Sequence, residues 1–180
     1  MKHCMLDLET LSVKPNAAII SIGAVQFDPF SIGAIGDTFY SPVSVKSCVK
    51  AGLDISKSTV DWWEKQSNEA KIVLSEASKP DAPELYDVLL AFSKWYREHG
   101  FVALWGQGSD FDNVILRSAY DALGLSAPWK YTENRCYRTI RSLAPDVAIE
   151  REGIYHNALD DAIYQAKCLQ MILGGDNEND

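Results

Sequence analysis

The first 28 residues constrain the fold most, because two apolar, β-favouring runs are joined by a turn and the first of them ends in acid. The runs are CMLDL (Cys4 to Leu8) and AIISIGAVQFD (Ala18 to Asp28), with the Pro and Asn of VKPNA between them. They read as paired strands, and Asp37 to Val43, with Thr38, Phe39, Tyr40 and Val43, reads as a third. Three strands in succession predict an antiparallel meander. Side chains alternate along a strand, so Asp7 and Glu9 share one face while Leu6 and Leu8 share the other. Two neighbouring carboxylates repel, and a proton or a cation relieves them. A solvated strand end would also accommodate such a pair, so D-x-E alone does not define a site.

Helices alternate with strands in the remainder of the chain. Ser58 followed by Asp61 in STVDWWEKQ suggests a capped short helix carrying Trp62 and Trp63, and a second short helix is expected over Glu69 to Glu76. Leu85, Val88, Leu89, Phe92, Trp95 and Tyr96 recur at helical spacing and stop before Gly100. FVALW (Phe101 to Trp105) follows as a buried strand. A helix then starts near Asp110, carries Val114, Ile115, Ala119 and Leu123, and ends at Gly124. NRCYRTIRSLA reads as helical, and Ala158 to Leu173 as a helix capped by Asn157. This order predicts an α/β protein with a mixed sheet flanked by helices. One domain is expected over residues 1–175, with 176–180 a frayed tail.

Composition narrows the function classes. A net charge of -8 in 180 residues argues against coating duplex nucleic acid, which needs a basic face. An acidic protein still handles phosphates when metal ions supply the local positive charge. No apolar run approaches the ~20 residues of a membrane span, the N-terminus lacks a signal-peptide pattern, and Cys4, Cys48, Cys136 and Cys168 show no paired spacing. A cytoplasmic protein with free thiols is expected.

Two further acidic motifs join D-x-E. LWGQGSDFDNVIL places Asp110 and Asp112 where a strand passes into a helix, and YHNALDDAIYQA places His156 ahead of Asp160 and Asp161 in the first turn of the last helix. Favourable interaction with a helix dipole would explain any one of these aspartates. Together, in this order, the motifs resemble those of the DEDDh exonucleases, the DnaQ-like 3'-to-5' exonuclease family. The resemblance runs from about residue 4 to residue 172. KPNAAIISIGAV, TVDWWEKQS and NRCYRTI are most similar to a small stand-alone, exoribonuclease-like branch found in bacteria and phages.

The resemblance implies a ribonuclease-H-like fold and assigns Asp7, Glu9, Asp112, His156 and Asp161 to catalysis. Family spacing selects Asp112 over Asp110 and Asp161 over Asp160. The four carboxylates would hold two Mg2+ or Mn2+ ions, His156 would be the general base, and single-stranded RNA or DNA would be hydrolysed from its 3' end to 5'-mononucleotides. Backbone at Thr10 and Leu11 would meet the terminal nucleotide, one of Trp62 and Trp63 would stack on a base, and Arg138 leads Arg135 and Arg141 as a backbone contact. Small relatives make a homodimer an option. A non-catalytic binding module and a ribonuclease-H-type endonuclease are the alternatives, against which stand the five motif residues and the His-x-x-x-x-Asp spacing.

Overall fold

The computed structural model describes residues 1–147 and 149–175. The expected frayed tail, 176–180, lies outside the described residues. Strands β1 (His3–Thr10), β2 (Ile19–Phe27) and β3 (Ile35–Pro42) form the antiparallel meander anticipated from the alternating apolar runs. Strands β4 (Ala103–Gly106) and β5 (Asn134–Cys136) add in parallel, giving the order β3-β2-β1-β4-β5. The mixed sheet thus has β1 at its centre, which places the D-x-E segment where elements from both halves of the chain can reach it.

Helices α1 (Val45–Lys50), α2 (Lys57–Trp63), α3 (Asn68–Ala77), α4 (Leu85–His99), α5 (Asp112–Ala122), α6 (Tyr137–Leu143) and α7 (Ala158–Leu173) flank the sheet. Cys4, Leu6 and Leu8 of β1 join a large core with Trp63, Phe92, Leu116 and Tyr120. Met5 faces the opposite way, into a second core with Tyr137, Ala162, Ala166 and Leu169. Both faces of β1 are therefore covered, as expected for a central strand with parallel and antiparallel neighbours. No helix among the described residues is long and apolar enough to cross a membrane.

Three sequence expectations change. NRCYRTIRSLA does not form one helix: Asn134–Cys136 is strand β5, and helix α6 begins only at Tyr137. The side chain of Asn134 accepts hydrogen bonds from Asn113 Nδ2 (3.0 Å) and Trp129 Nε1 (2.9 Å), so tertiary contacts fix the strand where local propensity favours helix. Ser58 does not cap α2; the N-cap is Ser56, whose hydroxyl bonds that of Ser58 rather than the helix backbone. Helix α1, capped by Ser44 through the Ser47 amide, forms in a stretch for which the sequence predicts no element.

Two glycines let helix ends approach the sheet. Gly23, paired with Asp7, touches the start of α7 so closely that an added Cβ would lie 2.2 Å from the Ala158 carbonyl carbon. A Cβ on Gly106 would lie 2.4 Å from Asn113 Oδ1 at the start of α5. The absence of both side chains brings the N-termini of α5 and α7 against β1.

Candidate active site

Asp7 and Glu9 project from β1 into a cavity of about 330 Å³ that Asp112, His156 and Asp161 also line. Asp112 is the first residue of α5, and Asp161 lies in the first turn of α7. All five residues of the DEDDh pattern therefore meet at one pocket. Asp110 is exposed outside it. The Asp160 carboxylate is committed elsewhere, accepting the Ile154 N–H at 2.8 Å.

The acids are not at a solvated strand end. Asp7, Glu9 and Asp112 are 8%, 7% and 2% exposed. Burial first, then the neighbouring Asp112 and Glu9 charges, pushes Asp7 well above the usual carboxylate range. Burial and Asp112 push Glu9 up to about 8. Burial pushes Asp112 up to about 7, against the opposing effect of backbone donors that include the Leu8 N–H at 3.2 Å.

These groups fit a cation site. Glu9, Asp161 and His156 offer ligand atoms within 4.8 Å of one another. Asp112 Oδ2 is buried without a hydrogen-bond partner among the described residues. An oxygen-rich set of crowded carboxylates suits a hard divalent cation, which would relieve the repulsion that raises their proton affinity.

The crowding has a consequence for stability. In an unfolded chain Asp and Glu release their protons near pH ~4, whereas in the folded protein these carboxylates hold them until about pH 7 to 8. Between those limits the folded state binds more protons, so its stability falls as pH rises. Melting in chelator is expected to give a lower Tm at pH 8.5 than at pH 5, and Glu9→Gln is expected to flatten the slope. A pH-independent Tm in both proteins would contradict the crowding.

His156 adopts a left-handed backbone conformation, φ 62°, held where its N–H donates to Asp161 Oδ2 at 3.1 Å. Its ring packs edge to face on Trp62 at 4.9 Å and on Trp63 at 6.1 Å. Burial, then the Arg151 charge, lowers its pKa below the usual value.

The two tryptophans divide as adjacent helical positions should. Trp63 is buried and donates its indole N–H to the Thr10 carbonyl at 2.9 Å, while Trp62 is 42% exposed. Both line a second cavity, of about 390 Å³, with Thr10, Val13, Ser58 and Thr59. It shares Leu8, Glu9 and Phe111 with the carboxylate pocket. Thr10 thus borders the site, but Leu11 is 3% exposed in the core and lines neither cavity. Arg138 is exposed and lines the carboxylate pocket. Arg135, which lies in β5 rather than on the same helix, donates to the Thr132 and Asn134 carbonyls, and Arg141 donates to Ala144.

Sequence reasoning passed over Gln165 and Arg151. Gln165 is 2% exposed and donates to Asp7 Oδ1 at 2.7 Å. Arg151 pairs with Asp161. Gln165 follows Asp161 by one helical turn, which was the available signal for it. Arg151 lies in an irregular segment with no period to mark it.

Known proteins share this architecture. The nuclease domain of 3'hExo, a DEDDh family member whose crystallographic structure is bound to rAMP, superposes with a TM-score of 0.62 at 16% identity, over 96% of this chain and 92% of that one. Exonuclease X, in complex with 5' overhanging duplex DNA, gives 0.59 at 17% identity, over 96% and 92%. These likenesses establish the ribonuclease-H-like fold. An exodeoxyribonuclease of Enterobacteria phage T4 is 28% identical over 123 residues, covering 62% of this chain and 52% of the relative. The chain therefore spans about half the length of that curated relative. The family described as the 3'-5' exoribonuclease Rv2179c-like domain matches residues 2–173, and the chain belongs to that family of 3'-5' exonucleases.

Proposed function

We propose that this chain is a metal-dependent 3'-5' exonuclease that shortens single-stranded RNA or DNA and releases 5'-mononucleotides. The observation that carries this reading is the convergence of Asp7, Glu9, Asp112, His156 and Asp161 on one pocket, beside a cleft with an exposed tryptophan. Family membership and the nucleotide and DNA bound by the structural neighbours support it.

Asp7, Glu9, Asp112 and Asp161 would hold two Mg2+ or Mn2+ ions. Such ions, when bound, supply Lewis acidity at the scissile phosphate and make water a stronger nucleophile at neutral pH. His156 accepts the proton that the attacking water releases. Its lowered pKa keeps the imidazole neutral, with a free ring nitrogen, near pH 7. Trp62 and Trp63 hold that ring from its sides. Gln165 fixes one oxygen of Asp7, a residue that lines the pocket.

The shared wall of Glu9 and Phe111 joins the carboxylate pocket to the tryptophan cleft. A phosphodiester in the first therefore leaves its 3'-terminal base within reach of Trp62 in the second. Base stacking on an aromatic ring contributes ~1–3 kcal/mol and tolerates every base. Arg138, which also lines the carboxylate pocket, meets the phosphate backbone. The Thr10 carbonyl and hydroxyl are both engaged within the protein, the hydroxyl with the Ser12 carbonyl at 2.8 Å, so Thr10 shapes the cleft as a rigid edge.

Linear and circular single-stranded oligonucleotides distinguish this reading from an endonuclease. With Mn2+ the linear substrate is expected to be degraded and the circular one to persist, and chelator is expected to stop the reaction. Cleavage of the circle would establish an endonuclease, and an inert linear substrate would leave a binding module.

A further inference from the structure

Both oxygens of Asp161 already have a donor. Oδ2 accepts the His156 N–H at 3.1 Å, and Oδ1 accepts the Arg151 guanidinium. The ion pair is largely enclosed, its side chains 15% and 13% exposed. The guanidinium lies over the ring of Tyr155 at 3.9 Å and over that of Tyr164 at 4.9 Å, and its Nε is buried without a hydrogen-bond partner among the described residues. Two aromatic faces hold a planar cation well, so this arginine has a built position. Its segment is fastened to α7 by the Ile154 N–H on Asp160 and by Lys167 Nζ on Glu152 at 2.6 Å.

We infer that Arg151 is an internal counter-ion of the metal-free site, which holds Asp161 Oδ1 until a divalent cation displaces it. The inference rests on the proposed metal-dependent reading. Among the described residues, Arg151 forms an ion pair with one of the five motif side chains, and two tyrosine rings hold it there. Without it, buried like charges would face one another uncompensated. With it, an incoming cation meets a fixed positive charge on the oxygen it needs. Metal binding is then an exchange of one cation for another, and the free site is kept ordered at a cost in metal affinity. The exchange also leaves a guanidinium beside the pocket, poised over Tyr155.

Mn2+ titration by calorimetry, with parallel melts in chelator, tests the exchange. Arg151→Gln is expected to lower the metal-free Tm and to tighten Mn2+ binding about tenfold. Tyr155→Leu removes an exposed ring from the clamp and keeps every charge, so it is expected to tighten Mn2+ binding by a smaller factor without loss of folding. Arg151→Lys, which keeps charge without the planar fork, is expected to fall between wild type and Arg151→Gln. Unchanged or weaker Mn2+ binding by both Arg151→Gln and Tyr155→Leu overturns the inference and leaves the nuclease reading standing. Loss of substrate affinity with unchanged Mn2+ affinity also overturns it, making Arg151 a phosphate contact. Failure of the wild type itself to bind Mn2+ overturns both readings.

Discussion

Asp7→Asn is expected to reduce nuclease turnover by about a thousandfold or more while leaving the metal-free protein as stable as the wild type, or more so. Asp7 lies on the central strand, and the charges of Asp112 and Glu9 are close enough to raise its proton affinity. Metal ions contribute several kcal/mol to phosphoryl-transfer transition states, and each ~1.4 kcal/mol is tenfold in rate. Asparagine retains an oxygen that accepts the Gln165 N–H and removes a charge that burial disfavours. Activity and stability are therefore expected to move in opposite directions. Rates, Mn2+ titration and melting curves check this together. A variant that loses several degrees of Tm along with its activity would assign Asp7 a structural role instead.

His156→Asn is expected to lose about a hundredfold to ten-thousandfold in rate with Mn2+ affinity reduced far less than in Asp7→Asn. Asparagine is suited to the test because it tolerates the left-handed backbone at this position better than most residues. The pH dependence separates the roles. The wild-type rate should rise with pH through the lowered His156 pKa and then level off, because deprotonation creates the active base. The variant lacks that titration, and its rate should continue to rise into the alkaline range as hydroxide becomes available. A pH-rate profile for the variant that parallels the wild type would place the base elsewhere.

The features legible in the sequence were those that local chemistry determines. Asn157 with the periodic apolar positions from Ala158 to Leu173 defines α7 to the residue, because cap and period agree. Gly100, φ 58°, ends α4 as its position suggested. The face shared by Asp7 and Glu9 follows from strand alternation alone, although their burial does not: it depends on Gly23 and Gly106 admitting two helix ends. The five motif residues are separated by as many as 154 positions, from Asp7 to Asp161, and only their joint pattern marks them as one site.

What escaped the sequence was set by distant contacts. Strand β5 is three residues long, and its Asn134 is tied to Asn113 and Trp129, so no local propensity could reveal it. The division of labour between Trp62 and Trp63 depends on the Thr10 carbonyl, 53 positions away. Arg151 reaches Asp161 from a loop, held there by the rings of Tyr155 and Tyr164. Leu11 illustrates the reverse case, since a loop leucine beside the site becomes a core residue under the packing of α2.

A single-stranded oligonucleotide carrying distinguishable labels at its two ends tests the central claim most directly. With Mn2+ present, the 3' label is expected to leave first as a nucleoside 5'-monophosphate, while the 5' label moves down a ladder of products each one nucleotide shorter. Early release of the 5' label, internal fragments that appear before mononucleotides, or the same products in excess chelator would contradict a metal-dependent 3'-5' exonuclease.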